Sequence, residues 1–159
     1  MADTKIRIRK ATTLLKEDHR TVKRLFAEFD KLEDSETTEL ARIFEEVKKE
    51  LMVHAQIEEE IFYPAVEKAE NDEAQELVRE AHEEHRLAKM LIEEISAMQA
   101  DDDQFCAKMK VLKDSVLHHA EEEESEIFPI FEDLEKEEQD RIAEQLQSRK
   151  NELTTGEEG

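Results

Sequence analysis

Apolar side chains recur along most of the chain at steps of three and four residues, which is the spacing of one face of an α-helix. Leu15, Val22, Phe26 and Phe29 show this spacing near the start of the sequence. The pattern predicts four long helices, the first over about residues 11–33 and the others opening after polar turns at residues 33–37, 71–72 and 101–104. Two glycines and two prolines in 159 residues leave little turn chemistry for a sheet, so the predicted fold class is all-α.

Two shorter segments flank the predicted helices. Residues 1–10 form a basic arm, which either packs on the helices or is disordered, and its charge complements the acid of the rest of the chain. Residues 135–159 carry Ile142 and Leu146 at helical spacing, which predicts a short helix to about residue 150 and a frayed end. Since four long helices with short connections pack most simply side by side, residues 11–134 are predicted to form an up-down-up-down four-helix bundle.

The chain repeats itself at an offset of 65 to 66 residues. A His-x-x-x-Glu pair, whose members share one helix face, occurs in the second helix and again in the fourth. The recurring residues are His19 with His85, His54 with His119, Glu58 with Glu123, and Pro64 with Pro129. The sequence therefore predicts two copies of one helical hairpin. The prolines lie near helix ends, where they are expected to stop or kink the helices.

Six polar side chains interrupt the apolar stripes at positions that should be core. Burying an imidazole or a carboxylate without a partner costs several kcal/mol, so six of them in one layer need a counter-charge. A pair of metal ions supplies it, because imidazole suits first-row transition metals and carboxylates can bridge two ions. A single histidine in such a stripe is more often an ordinary core residue. Four stripes with the same interruption favour a metal centre.

Charge and composition exclude several classes of function. The net charge of -21 disfavours binding to nucleic acid and to anionic membranes, since both need basic side chains on the protein. A single cysteine, Cys106, excludes an internal disulfide and indicates a reducing compartment. No segment is apolar enough for a signal peptide or a membrane span. We therefore expect a cytoplasmic protein, either a monomer or a homodimer.

The segments around the polar layer resemble the hemerythrin-like, or HHE cation-binding, family. The resemblance extends over residues 12 to about 132 and rests on residues 15–20 (LKEDHR), 54–64 (HAQIEEEIFYP), 84–86 (EHR) and 119–129 (HAEEEESEIFP). It implies a four-helix bundle that holds two Fe ions with an oxo or hydroxo bridge. Members of this family bind, sense or process dioxygen, nitric oxide or peroxide, or respond to iron.

The resemblance also implies a set of iron ligands. Position by position, these are His19, His54, Glu58, His85, His119 and Glu123, with the two glutamates as bridging groups. The oxygen-carrying branch of the family has a fifth histidine from a His-x-x-x-His pair in the third helix, whereas this chain has Ala81 and Lys89 at the two possible positions. The extra histidine here is His82, which either completes the second iron or lies next to it.

Two further polar residues stand near the implied ligands. Tyr63 lies one turn past Glu58, where it is either an ordinary interface aromatic or a group that contacts the centre. His118 neighbours His119 but points about 100° away on a helix, so a peripheral role is predicted.

The resulting hypothesis is a di-iron protein that binds or senses dioxygen, nitric oxide or peroxide. Three alternatives remain at this point: an enzyme that decomposes peroxide or reduces nitric oxide, an iron-handling protein, and a metal-free acidic bundle that serves as an interaction module.

Overall fold

Each apolar stripe of the sequence lies on a helix in the computed structural model, which describes residues 9–155. The helices are α1 (Ala11–Asp30), α2 (Thr37–Ile57), α3 (Tyr63–Glu67), α4 (Asp72–Ser96), α5 (Phe105–Glu122), α6 (Phe128–Glu132) and α7 (Lys136–Thr155). Two π-helical turns, π1 (Glu58–Phe62) and π2 (Glu123–Ile127), join α2 to α3 and α5 to α6. Residues 9–155 contain no strand, so the all-α class is confirmed, while the up-down-up-down order stays a prediction.

The two π turns begin at the two glutamates of the internal repeat. In π1 the N–H of Tyr63 donates to the carbonyl of Glu58, five residues earlier, and in π2 the N–H of Phe128 donates to the carbonyl of Glu123. A π turn widens the helix by one residue and is common at functional sites. The periodicity of the sequence did not predict these turns, because one extra residue leaves the stripe of apolar side chains almost unchanged.

The two prolines lie directly after the π turns. Pro64 and Pro129 occupy the first turns of α3 and α6, where the missing N–H is tolerated. The helical path continues for three residues beyond each proline, to Glu67 and Glu132. The prolines therefore mark an irregular turn, and they do not stop the helices.

Two buried apolar clusters lie on either side of the polar layer. One cluster contains Leu15, Ile57, Phe62, Phe128 and Phe131, together with residues of α7. The other contains Val22, Phe26, Phe44, Ile92 and Leu112. On each long helix the predicted metal-binding residues fall between members of the two clusters. The polar layer therefore crosses the middle of the protein and is sealed by core at both ends.

Helix α7 is longer than predicted and packs against the first hairpin. It ends at Thr155, not near residue 150, and it contacts α1, α2 and π1. The side chain of Leu146 is fully buried in this contact. The predicted basic arm falls mostly on residues 1–8, which lie outside the described residues. The frayed end was predicted for residues 154–159, but residues 154 and 155 are still helical, and residues 156–159 lie outside the described residues. Within the described part of the arm, Arg9 pairs with Glu17.

No helix among residues 9–155 combines the length and the apolar character needed to cross a membrane.

The contact of α7 can be tested at its buried leucine. We expect Leu146→Ala to lower the free energy of unfolding by about 2–5 kcal/mol, because it removes a fully buried side chain and leaves a cavity. The neighbouring Gln145→Ala is the control, since Gln145 is exposed, and its effect should stay within about 0.5 kcal/mol. Chemical denaturation measures both. Equal effects of the two variants would show that α7 does not pack as described.

Candidate metal centre

Four histidines, one from each of the helices α1, α2, α4 and α5, turn their Nε2 atoms toward two central carboxylates. The Nε2 atom of His19 lies 3.0 Å from Oε1 of Glu123, and the Nε2 atom of His54 lies 3.2 Å from Oε1 of Glu58. On the other side, Nε2 of His85 lies 3.2 Å from the same Glu58 oxygen. The Nε2 atom of His119 lies 3.5 Å from Oε2 of Glu123. The four imidazoles thus surround two carboxylates.

Glu58 and Glu123 occupy the middle of this arrangement. Both side chains are 0% exposed, which is unusual for a carboxylate. Glu123 directs one oxygen to His19 and the other to His119, so it contacts one histidine from each hairpin. Glu58 likewise contacts one histidine from each hairpin, His54 and His85. Each glutamate is therefore shared between two histidines.

The donor atoms of the polar layer form two groups that fit metal ions, and a third group, Glu84, His118 and Glu122, lies nearer the surface. The first group contains His19, His54, Glu58 and Glu123, and the second contains Glu58, His85 and His119. Two ligands at about 2.1 Å from one ion lie roughly 3.0 Å apart when adjacent and roughly 4.2 Å apart when opposite. The donor separations of 3.0, 3.2 and 4.0 Å in the first group lie within this range.

Two buried atoms of the layer lack a hydrogen-bond partner. They are Nε2 of His54 and Oε2 of Glu58, both of which belong to the first donor group. An unsatisfied polar atom in a protein interior costs about 1–3 kcal/mol, and native proteins contain few of them. A bound cation would satisfy both atoms, so the residues present fit a metal centre.

Each of the four histidines has a second carboxylate on its outer nitrogen. The Nδ1 atoms lie at hydrogen-bond distance from carboxylate oxygens as follows: His19 from Glu124 at 2.7 Å, His54 from Asp18 at 2.8 Å, His85 from Glu59 at 2.8 Å, and His119 from Glu84 at 2.6 Å. Such an outer partner fixes the ring orientation and directs the lone pair of Nε2 inward. All four inward nitrogens are thereby prepared to bind a metal.

The outer carboxylates follow the internal repeat. Asp18 and Glu84 each come directly before the histidine of a first helix, and each reaches the histidine of the second helix in its own hairpin. Glu59 and Glu124 each come directly after a bridging glutamate, and each reaches a histidine of the other hairpin. The repeat was the signal for these partners, because both members of each pair recur with their histidines.

The buried negative charge of the layer affects the pKa values of its histidines. Burial lowers the pKa of His119, but its hydrogen bonds with Glu123 and Glu84 outweigh burial and raise the pKa to about 10. Burial likewise opposes a charged His54, yet the negative charge of Glu58 and the hydrogen bond with Asp18 raise its pKa well above the usual value. The same negative charge that holds protons on these nitrogens attracts metal cations.

The phenol of Tyr63 lies beside the histidines of the second donor group. Its hydroxyl donates to Oε2 of Glu123 at 2.6 Å and lies 3.2 Å from Nε2 of His85 and 3.4 Å from Nε2 of His119. Burial and the negative charge of Glu123 and Glu58 raise the pKa of the phenol well above its usual value. Tyr63 is therefore a member of the site, which the sequence left open.

His82 does not join either donor group among the described residues. Its side chain is exposed, and its ring packs edge-on against that of Tyr63, with 5.3 Å between centroids. A three-residue step rotates His82 by about 60° from His85 on the helix, which is enough to turn it outward. His118 is exposed and pairs with Glu122, as a peripheral residue would.

A small apolar cavity borders the layer on the side away from Tyr63. Its volume is about 50 Å³, and its walls include all four histidines together with Val22, Leu51, Ala88, Ile92 and Val116. One water-sized molecule needs roughly 10–15 Å³ on this measure, so a diatomic or triatomic molecule fits. The cavity therefore gives a small ligand direct access to the nitrogen ligands.

Four imidazoles and two buried carboxylates between helices define a helical metal-binding protein. The sequence profile of the Hemerythrin HHE cation binding domain matches residues 10–131. The chain belongs to this family, and the family prediction from its motifs is confirmed.

Relatives support the fold more than any single activity. The chain is 30% identical over 143 residues to a Nostoc sp. protein named DNA nickase, a match that covers 88% of this chain and 39% of that protein. It is 31% identical over 83 residues to an uncharacterized hemerythrin-like protein of Schizosaccharomyces pombe. This match covers 52% of this chain and 41% of that protein. The chain thus spans about two fifths of the length of these curated relatives.

A solved structure shares the fold. The crystal structure of a hemerythrin HHE cation binding domain-containing protein from Mycobacterium kansasii gives a TM-score of 0.80 at 23% identity. The superposition covers 93% of this chain and 89% of that chain.

The outer carboxylates can be tested at Asp18. We expect Asp18→Asn to lower the affinity for cobalt(II), a spectroscopic probe for this donor set, by about 10–100-fold, because His54 loses its charged partner. Competition with a chelator measures the affinity. Glu17→Gln is the matched control, since Glu17 is adjacent in sequence and pairs with Arg9 instead of a histidine. Equal affinities of the two variants would contradict the role of Asp18.

Proposed function

We propose that this chain is a non-haem di-iron protein that binds a small ligand, namely dioxygen, nitric oxide or a peroxide. The position of the cavity carries the proposal, because an apolar space of diatomic size borders all four inward histidines. A bulky substrate does not fit beside them. Apolar walls also favour small uncharged molecules over water.

Two adjacent donor groups that share Glu58 support a pair of ions. His19, His54, Glu58 and Glu123 would hold the first ion, and Glu58, Glu123, His85 and His119 the second, with the hydroxyl of Tyr63 close by. Imidazole and carboxylate donors together suit iron. When bound, the iron pair supplies electrons to a small ligand. A reducing compartment such as the cytoplasm, predicted from the single cysteine, suits a ferrous form that takes up the ligand.

The protein would control this chemistry by geometry and by exclusion of water. Glu58 and Glu123 would hold both ions close together, and the outer carboxylates keep each imidazole in one orientation. Val22 and Ile92 belong to the apolar cluster that closes one side of the layer, and Leu51 packs against it. Such a sealed site favours reversible binding, because water and protons reach the ligand slowly.

Tyr63 supports a second candidate, an enzyme that decomposes peroxide or reduces nitric oxide. Both reactions need protons at the bound ligand. The hydroxyl of Tyr63 holds a proton 2.6 Å from Oε2 of Glu123 and is buried among the ligands. A positioned proton donor of this kind accelerates proton-dependent steps by typically 10²–10⁴-fold.

Metal content and optical spectra test the di-iron proposal. We expect protein grown with ample iron to hold about two irons per chain, and its visible absorption to change reversibly on reduction and on exposure to air or nitric oxide. The variant His54→Ala with His119→Ala should lose both iron and thermal stability, because metal binding and burial of the ligands are coupled. Val111→Ala is the control, since Val111 lies on α5, is exposed and belongs to no donor group. Iron-free wild-type protein would overturn the proposal.

Tyr63→Phe separates the two candidates. If the protein is an enzyme, we expect this variant to keep its iron and to lose peroxide turnover by roughly 10²-fold, because the ring remains and only the proton donor is removed. Oxygen evolution from peroxide measures turnover. If the wild-type protein consumes no more than about one equivalent of peroxide, the enzyme candidate fails and the binding proposal stands.

A further inference from the structure

An open groove runs along the outside of the metal centre between α1 and α5. Three of its lining residues, His19, Leu117 and Ala120, also line the inner cavity. These side chains therefore form the wall between solvent and cavity. Leu117 is only half-buried in this wall.

Resting on the function proposed above, we propose that small neutral or anionic ligands enter the centre through this wall, between α1 and α5. The groove collects the ligand, and movement of the Leu117 side chain admits it to the cavity. Rotamer changes of half-exposed side chains take place in picoseconds to nanoseconds, so this barrier can open without any movement of helices.

The internal repeat provides a second wall for comparison. Met52 and Ala55 stand 65 residues before Leu117 and Ala120, and both line the cavity on its other side. The Met52 side chain is itself exposed, but an ion pair links the helices beside it, because Nζ of Lys89, which also lines the cavity, donates to both oxygens of Glu59 at 2.9 and 3.1 Å. This ion pair links α4 to π1 on the outside of the second wall.

The first wall has no such tie among the described residues. Lys23 is the repeat equivalent of Lys89, and Glu124 is the equivalent of Glu59. Lys23 forms no ion pair within residues 9–155, and Glu124 is bound only to His19. The two hairpins therefore supply equivalent inner ligands. Among the described residues, however, an ion pair links the helices outside the second wall and not outside the first.

The charged side chains that line the groove select the kind of ligand that enters it. Lys16, Arg20 and Lys23 line the groove at helical spacing on α1, opposite Glu121 and Glu124. None of the three cations forms an ion pair within the described part of the chain. On a protein of net charge -21, this excess of positive charge makes the mouth accessible to small anions, which the rest of the surface repels.

Matched tryptophan variants test the route on iron-loaded protein. We expect Leu117→Trp to slow the association of azide and of nitric oxide roughly tenfold, because the indole fills the groove, while iron content and final spectra stay unchanged. Met52→Trp, at the repeat-equivalent position, should change the rates less than about twofold. Stopped-flow absorption measures both. Equal rates, or a slower Met52 variant, would overturn the proposal.

Alanine variants keep the test valid if tryptophan disturbs the helix. Leu117→Ala should accelerate association and Met52→Ala should not. Failure of the route is distinguishable from failure of the proposed function. If the iron-loaded wild-type protein binds neither azide nor nitric oxide, the function is wrong. If it binds them but Leu117 variants match Met52 variants, only the route is wrong.

Charge reversal tests the selectivity. Arg20→Glu should slow azide association several-fold and leave nitric oxide unaffected, because only azide is charged. Arg24→Glu is the control on the same helix, since Arg24 pairs with Glu28 and does not line the groove. Added salt should reduce the difference. Equal azide rates in the two variants would show that the mouth does not select by charge.

Discussion

The central constraint on this protein is the negative charge of two fully buried carboxylates. Glu58 and Glu123 lie between two apolar clusters, far from the water that would normally stabilise them. Four imidazoles surround them, and each imidazole is held from outside by a further carboxylate. The outer acids make the layer more negative, not less. Such an arrangement is stable only with strongly bound positive charge, whether protons or metal ions, and its two donor groups favour metal ions.

The π turns explain how a regular-looking sequence builds this layer. In an ordinary α-helix, a residue five positions after another lies about 140° around the axis. In a π turn the backbone hydrogen bond joins residues five apart, so the fifth residue comes back much closer to the same face. This brings Tyr63 to the side of Glu58 and Phe128 to the side of Glu123, where the Phe128 ring stacks on His19 at 5.9 Å. One additional residue per helix therefore supplies both aromatic contacts of the centre.

Much of the fold and the inner ligands could be predicted from the sequence, because apolar spacing and an internal repeat are local patterns. The helices appear close to the predicted positions, and the six ligands implied by the family resemblance meet in one layer. Tyr63 and His82 could not be assigned in the same way. Their direction depends on the helical phase, which π1 changes by one residue without a trace in the apolar stripe. The outer acids were hidden among 44 acidic residues, and only the repeat distinguishes them.

The departures from the repeat make the two donor groups different. A phenol accompanies the second donor group, whereas a phenyl ring accompanies the first. Lys150 of α7 donates to Asp18 at 2.6 Å, so the outer acid of His54 shares its charge with a cation, and Lys89 does the same for Glu59. A carboxylate neutralised in this way polarises its imidazole less than a free one. Because each donor group contains one histidine with such a neutralised partner, the difference between the groups lies in the phenol of Tyr63. A small ligand would therefore meet an asymmetric pair of ions.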